Sequence, residues 1–387
     1  MNVVFRGASL DVQPQAVAEK RIAVAQENSP ELVALVLGAL HGGSEIVLQN
    51  ARLTAAERAA QLRSIEATVP AGEPATILFT SGTTGAPKAA RLVLANHLAS
   101  ARAAIEILGI EKTSRFLCAM PMFHAGGLAI VLRCELAGAT LLLHERFDAQ
   151  AVARELHDGN ATHVSLVAST LARVLDVCAD FPPSVQAVLV GGGPVSLALL
   201  EKARRAGLPV LQTYGLTETA SMATCERPGD ADGTTAGPPI PGMELRIGAE
   251  IELRGPAVMR GYLGAPPVDG WFATGDLGEL DGRGRLIVHA RRTDLIVSGG
   301  ENVYPAEVEA ALLAHPLVRE AAVLPAADAR WGQVGVAYVS TDAAESDLRA
   351  FLRERIAKFK VPARFVVVPA LPRTAAGKVD RARLQEG

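Results

Sequence analysis

Four hydroxyls and two glycines crowd into residues 80–85, Thr80-Ser81-Gly82-Thr83-Thr84-Gly85, and Lys88 follows three residues later. N–H and hydroxyl groups packed this densely can wrap phosphate oxygens, glycine lets the backbone turn tightly enough to do so, and the lysine adds a point charge. A Walker loop needs GxxxxGK followed by Ser or Thr. Here the interval from Gly82 to Lys88 is wrong and Ala89 follows the lysine. This is a phosphate loop of another kind, or else a flexible Ser/Gly surface turn.

Other residues could share such a site. Glu218 is the one carboxylate in the turn Tyr214-Gly-Leu-Thr217-Glu218; taken alone it reads as a solvated surface acid. Asp276 ends "GWFATGD" and also fits a turn before the hairpin that "GDLGELDGRGR" suggests. Gly191-Gly192-Gly193 closes a strong apolar run, either as a plain strand-to-helix turn before a helix over 195–206 or as a place where backbone comes close to a ligand. His124 lies in "PMFHAGGL", where a lone histidine among apolar residues is more often structural than functional. Lys378, in "RTAAGK", stands in a basic tail with Arg373, Arg381 and Arg383.

These residues need a scaffold. The chain has 387 residues, long enough for two or three lobes, and is 49% hydrophobic and 20% charged. A net charge of −3 gives no reason to expect nucleic acid or an anionic membrane as a partner. No apolar run is long enough to span a bilayer, the first twelve residues lack a basic-then-apolar pattern, and a cytoplasmic location is expected. Cys118, Cys134, Cys178 and Cys225 form no CxxC and no zinc pattern, so they read as small buried hydrophobes.

Residues 30–67 read as helices around a short strand at Ile46 to Leu48, with Thr54 capping "LTAAERAAQL". From Ile77 to about Val210, apolar runs alternate with helical stretches, which predicts a mostly parallel α/β sheet. After Gly237 the pattern turns to short alternating strands, a β-rich lobe. From Asp294 onward, amphipathic helices interleave with strands in a small α+β unit.

At this point a resemblance becomes clear. "FTSGTTGAPK" is similar to the phosphate loop of the adenylate-forming superfamily, which includes acyl- and aryl-CoA ligases, luciferases and nonribosomal adenylation domains. "YGLTETAS", "GWFATGD", "RRTDLIVSGGENVYPAEVE" and "LPRTAAGKVDRARL" resemble its further motifs, in family order. The match runs from about Ala75 to the C-terminus.

The resemblance implies an α/β N-terminal domain with a β-rich lobe, residues 1–292, and a small mobile α+β domain, 293–387, with a hinge near Thr293, where many relatives carry Asp or Lys. It implies ATP, Mg²⁺ and coenzyme A as cofactors and co-substrates. Thr80 to Gly85 and Lys88 would hold the β- and γ-phosphates. Glu218 would be the magnesium ligand, a hard oxygen donor of the kind Mg²⁺ takes. Thr217 would donate to the α-phosphate, and Tyr214 would lie against the adenine with Gly191 to Gly193 alongside. Asp276 and Arg291 would take the ribose hydroxyls, and His124 would guard the acyl pocket. Lys378 would bridge the substrate carboxylate and the α-phosphate. In a second pose of the small domain, Gly299 and Gly300 would leave room for the pantetheine arm.

The chemistry has a reason. A carboxylate does not react with a thiol until its oxygen is made a leaving group, and transfer to AMP does that, so the enzyme must hold ATP and orient the acid for in-line attack. Within the superfamily the tail is most similar to o-succinylbenzoate–CoA ligases of menaquinone biosynthesis. A medium-chain or specialised acyl-CoA ligase, or adenylation followed by transfer to a carrier protein, stays open. The partners expected are a carboxylic acid and CoA. The short stretch before the phosphate loop points to a reduced acyl pocket or to a chain that leans on a homodimer partner.

Overall fold

The apolar runs between Arg115 and Tyr214 pair into one large sheet. Its eight strands lie in the order Thr224–Cys225, Val210–Tyr214, Ala187–Val190, His163–Leu166, Arg115–Cys118, Thr140–Leu143, Asn2–Phe5 and Ala8–Asp11. The two outermost pairings are antiparallel and the rest parallel. Parallel neighbours need crossovers. Helices Ala125–Ala137, Ala149–His157, Ala168–Val177 and Leu197–Arg205 supply them. The last starts two residues later than its pattern predicts, because the Ser196 hydroxyl accepts from the Leu199 N–H and fixes the start. Strands such as Ala187–Val190 are buried throughout, as expected for a sheet covered on both faces.

This computed structural model describes the chain except for residues 67–72, 81–87, 292–293, 299–300, 329–330, 375–376 and 386–387. Ser81, Gly82, Thr83, Thr84, Gly85, Thr293, Gly299 and Gly300 therefore lie outside the described residues.

The strand entering the phosphate loop, Ala75–Thr80, belongs to a different sheet from the one its sequence context predicts. It lies in a five-stranded sheet ordered Gly261–Tyr262, Lys88–Val93, Ala75–Thr80, Glu45–Leu48 and Arg21–Val24. It pairs antiparallel with Lys88–Val93, and Thr80 faces Lys88 across the pair. The loop thus closes a hairpin instead of leading into a helix, and both its ends are held by one ladder. Glu45, 1% exposed, takes an ion pair from Arg21 at 2.6 Å and from Arg91 at 2.7 Å, which ties three of these strands together. The helix Ala55–Glu66 starts as its sequence predicts: the Glu57 carboxylate accepts from the Thr54 N–H at 2.7 Å, and the Thr54 hydroxyl accepts from the Glu57 N–H at 3.3 Å.

The β-rich lobe comprises a three-stranded sheet (Glu244–Ile247, Ile251–Arg254, Phe272–Ala273) and a hairpin in which Asp276–Leu280 pairs with Leu286–Arg291. The C-terminal unit builds its own sheet from Glu301–Val303, Ile296–Ser298, Gly332–Thr341, Val318–Asp328 and Arg364–Val367. Helices Pro305–Leu313 and Glu345–Arg353 pack on it around Val308, Leu312, Val323, Val339 and Leu348. All four cysteines are free thiols, and Cys118, Cys134 and Cys225 are buried. Among the described residues no helix is long and apolar enough to cross a membrane.

Candidate active site

Most of the candidate residues that are described sit at strand ends facing one cleft. Thr217–Thr219 forms a single 3₁₀ turn just after the strand Val210–Tyr214. The turn is strained: Ala220 has φ 50° and Ser221 φ 100°, each a conformation costing on the order of 1–3 kcal/mol. The surroundings hold it. Ser100 Oγ donates to the Ala220 carbonyl at 3.0 Å, and the Ala223 N–H donates to the Tyr214 carbonyl at 2.9 Å. Gly215 is obligatory, since a β-carbon there would sit 1.8 Å from the Ser221 carbonyl oxygen. The result is Glu218 held inward and 7% exposed, with Thr217 half-buried beside it.

Glu218 has an unusual environment for a buried carboxylate. Tyr262 Oη donates to its Oε1 at 2.5 Å, and among the described residues no lysine or arginine pairs with it. A carboxylate this buried calls for a cation. A divalent ion fits: Mg²⁺ is typically held by one or two carboxylates plus substrate phosphates, and among the described residues no cluster of three or more ligating side chains forms a closed metal cage. Lys88 lies nearby, exposed, with its Nζ 5.1 Å from the centre of the Tyr262 ring. Thr80 Oγ1 donates to the Lys88 carbonyl at 3.4 Å.

Tyr214 and Asp276 meet on the other side of the turn. The phenol donates to Asp276 Oδ2 at 2.7 Å, and Asp276 is 5% exposed. Arg291 stands opposite Asp276 in the hairpin register, although its side chain lies outside the described residues.

The three glycines divide by role. A β-carbon on Gly191 would come within 2.8 Å of Thr213 in the neighbouring strand. Gly192 has φ +79°, and a β-carbon there would lie 3.1 Å from Lys378 Cε and 3.7 Å from its Nζ. Gly193 faces open space. Lys378 is therefore brought into the same cleft from the C-terminal unit. Ser169 Oγ holds its loop in place by donating to the Gly377 carbonyl at 2.8 Å.

His124 caps the helix Ala125–Ala137 from its N-terminal end, against Phe123. Its Nε2 is buried with no hydrogen-bond partner among the described residues. Burial, with the Lys378 and Arg52 charges adding to it, pulls the imidazole pKa down to about 4. At neutral pH the ring is uncharged and offers a polar nitrogen to whatever lies in front of it.

Two residues escaped the sequence reading. Tyr262 sits in "VMRGYLG", where nothing distinguishes it from an ordinary packed aromatic. Arg133 left a signal: it directly follows the apolar run Leu128 to Leu132 of the helix "AGGLAIVLRCELA", whose other charge is Glu135. It is 1% exposed, and its Nε has no partner among the described residues. Burial lowers its pKa to about 10, and Cys225 and Cys134 lie beside it. Burial holds both thiols neutral by raising their pKa values. An unpaired guanidinium in such a place is costly unless an anion completes it.

Comparison with known proteins shows the family of the chain. Residues 65–263 match the family model of AMP-binding enzymes, and residues 307–378 match that of the AMP-binding enzyme C-terminal domain. A 2-succinylbenzoate–CoA ligase of Bacillus velezensis is 38% identical, over 95% of this chain and 87% of that one. The o-succinylbenzoate CoA synthetase (MenE) of Bacillus subtilis, in complex with the acyl-adenylate intermediate OSB-AMP, superimposes with a TM-score of 0.88 at 32% identity, covering 100% of this chain and 95% of that one. The same enzyme in complex with ATP and magnesium ion gives 0.87 at 32% identity, covering 99% and 96%.

Proposed function

The chain belongs to the AMP-binding enzyme family, and from that membership we propose that it is an ATP-dependent acid–CoA ligase acting on o-succinylbenzoate. It would form the acyl-adenylate with release of pyrophosphate and then the CoA thioester. The observation that carries the reaction is Lys378, an ammonium from the C-terminal unit laid across Gly192 and close enough to His124 to help lower its pKa. A cation there can draw the substrate carboxylate and the α-phosphate together as negative charge builds between them.

The residues divide the work. Bound at Glu218, Mg²⁺ supplies Lewis-acid neutralisation of the phosphate oxygens. Lys88 and the hydroxyls of residues 80–84 hold the β- and γ-phosphates in line. Thr217 donates to the α-phosphate. Asp276, oriented by the Tyr214 phenol, accepts the ribose hydroxyls through its remaining lone pairs. Neutral His124 faces the acyl group. The C-terminal domain then turns about a hinge near residue 293, withdrawing Lys378 and admitting the CoA thiol. A turn of this kind needs only a few residues to absorb the dihedral change.

The acid is proposed from two supports. The similar enzymes carry the name 2-succinylbenzoate–CoA ligase. Independently, Arg133 is a buried cation waiting for an anion, two and a half turns along the helix that His124 opens and beside Cys225, which follows the Glu218 turn. o-Succinylbenzoate has two carboxylates, so one can be activated while the other meets a guanidinium. A fatty acid would leave Arg133 unpaired. The reading also places the enzyme in the cytoplasm, where ATP and CoA are supplied.

A pyrophosphate-release screen over carboxylic acids, with and without CoA, tests the function. o-Succinylbenzoate is expected to give ATP-dependent release, and CoA to convert the product to thioester. If it gave no more signal than a no-acid control while a fatty acid did, the substrate reading would be wrong. Lys378→Ala should abolish adenylate formation and spare thioester formation from supplied acyl-adenylate.

A further inference from the structure

We propose that Tyr262 is the positioning residue that joins the two halves of the phosphate site, fixing the Glu218 carboxylate with its hydroxyl and Lys88 with its ring. The proposal deepens the reading above and rests on it. Lys88 and Glu218 stand on different sheets: Lys88 begins a strand of the five-stranded sheet, and Glu218 follows a strand of the eight-stranded one. In-line transfer needs them at a fixed separation, because one neutralises departing pyrophosphate while the other anchors the metal.

The segment 259–263 spans that gap. Its Met259 N–H donates to the Glu218 carbonyl at 2.8 Å. Arg260 and Leu263 donate to the Arg91 and Ala89 carbonyls at 3.1 and 2.9 Å, and Tyr262 pairs with Ala90 in register. Gly261 makes this possible with φ +140°, where a β-carbon would lie 3.2 Å from the Pro266 carbonyl oxygen. Tyr262 is then the residue of this segment whose side chain reaches both functional groups. Its Oη meets Glu218 Oε1 at 2.5 Å, and its ring centre lies 5.1 Å from Lys88 Nζ.

The two contacts do different things. A phenol donating to one carboxylate oxygen leaves the other for a cation and stops the carboxylate from rotating. The ring face holds the ammonium by cation–π attraction without neutralising it, as a carboxylate would, so its charge stays available for phosphate.

Tyr262→Phe separates them, since it removes the hydroxyl and keeps the ring; Tyr262→Leu removes both. Two readouts apply. The first is the rise in melting temperature that ATP induces with Mg²⁺ and with EDTA. The second is the rate of each half-reaction, pyrophosphate release and thioester formation from supplied acyl-adenylate. Tyr262→Phe is expected to keep the ATP–EDTA shift and lose most of the Mg²⁺ increment. It should also raise the Mg²⁺ concentration for half-maximal pyrophosphate release by roughly tenfold or more and leave thioester formation near wild type. Tyr262→Leu should in addition raise the KM for ATP, less than additively with Lys88→Ala. Wild-type Mg²⁺ dependence in Tyr262→Phe overturns the proposal. So does an equal loss of both half-reactions, which marks a merely structural tyrosine. Absence of pyrophosphate release by the wild-type enzyme with every acid would instead bring down the ligase reading itself.

Discussion

Lys378 crosses the chain directly over Gly192, so close that a β-carbon on the glycine would lie 3.1 Å from the lysine Cε. A tail residue is thereby seated by a residue 186 positions earlier, and the glycine is what leaves it room. Gly192→Ala should push the ammonium off its seat and strain the backbone at φ +79°. Displacing a reacting group by about an ångström costs on the order of a hundredfold. Adenylation by Gly192→Ala should fall by about that factor. Thioester formation from supplied acyl-adenylate, for which the proposed domain turn would withdraw Lys378, should fall far less. Gly193→Ala, whose added carbon meets nothing within 4 Å, should lose less than Gly192→Ala. Single-turnover rates of the two half-reactions decide it; parallel losses would mean the contact does not serve adenylation.

Lys88 offers the complementary test. It stands at the end of the phosphate-loop hairpin, opposite Thr80. Lys88→Ala should slow pyrophosphate formation by roughly a hundredfold, the usual effect of deleting one transition-state donor, with a smaller effect on thioester formation. The forward rate and the ATP–pyrophosphate exchange rate should drop together. An unchanged exchange rate would assign the lysine to structure alone.

The family motifs made the reaction legible because each is local: a hydroxyl-rich loop, a Tyr-Gly-Leu-Thr-Glu turn and a Gly-Lys tail are all continuous in sequence. The fold was legible where the hydrophobic period was plain, as in Ala187–Val190 and the helix Ala55–Glu66 with its capping box. The sheet membership of Ala75–Thr80 was not. Alternating strands and helices predict a single parallel sheet, and only long-range pairing shows that this strand turns back on Lys88–Val93. The N-terminal strands Asn2–Phe5 and Arg21–Val24 also escaped notice. They are four residues each and take their places from parallel partners at Thr140–Leu143 and Glu45–Leu48. Tyr262 could not be read as functional for the same reason: its meaning lies in two residues, 174 and 44 positions away, that no local pattern connects.

Arg133 could have been read, because a charge inside an apolar helix demands a partner. Its substitution separates two acids. Arg133→Met keeps length and removes charge. For o-succinylbenzoate, kcat/KM should fall on the order of a hundredfold, as when a site loses a charged hydrogen-bond partner of its substrate. For 4-oxo-4-phenylbutanoate, the same acid without its ring carboxylate, kcat/KM should hold or rise. The free enzyme should also gain stability, since an unpaired buried cation is replaced by an apolar chain. Equal losses on both acids, with a lower unfolding midpoint, would make Arg133 a packing residue.

His97 predicts how the fold responds to acid. It is fully buried beside Thr76, whose hydroxyl lies 2.8 Å from its Nε2, and burial lowers its pKa to about 4. The unfolded chain would protonate this histidine near 6.5, so between pH 6.5 and 4 the unfolded state binds more protons than the folded one. Stability therefore rises with pH across that window. The contribution is complete above pH 6.5 and is lost as pH falls toward 4, a change on the order of 3 kcal/mol for a group shifted this far. His124 adds a loss of the same sign, its pKa also lowered to about 4. His97→Gln cannot titrate, so the difference in urea unfolding free energy between pH 7 and pH 5 should be smaller in the variant than in the wild type, whatever its stability at pH 7. An unchanged pH dependence would show that His97 is protonated in the folded state and that the buried pair with Thr76 opens to water.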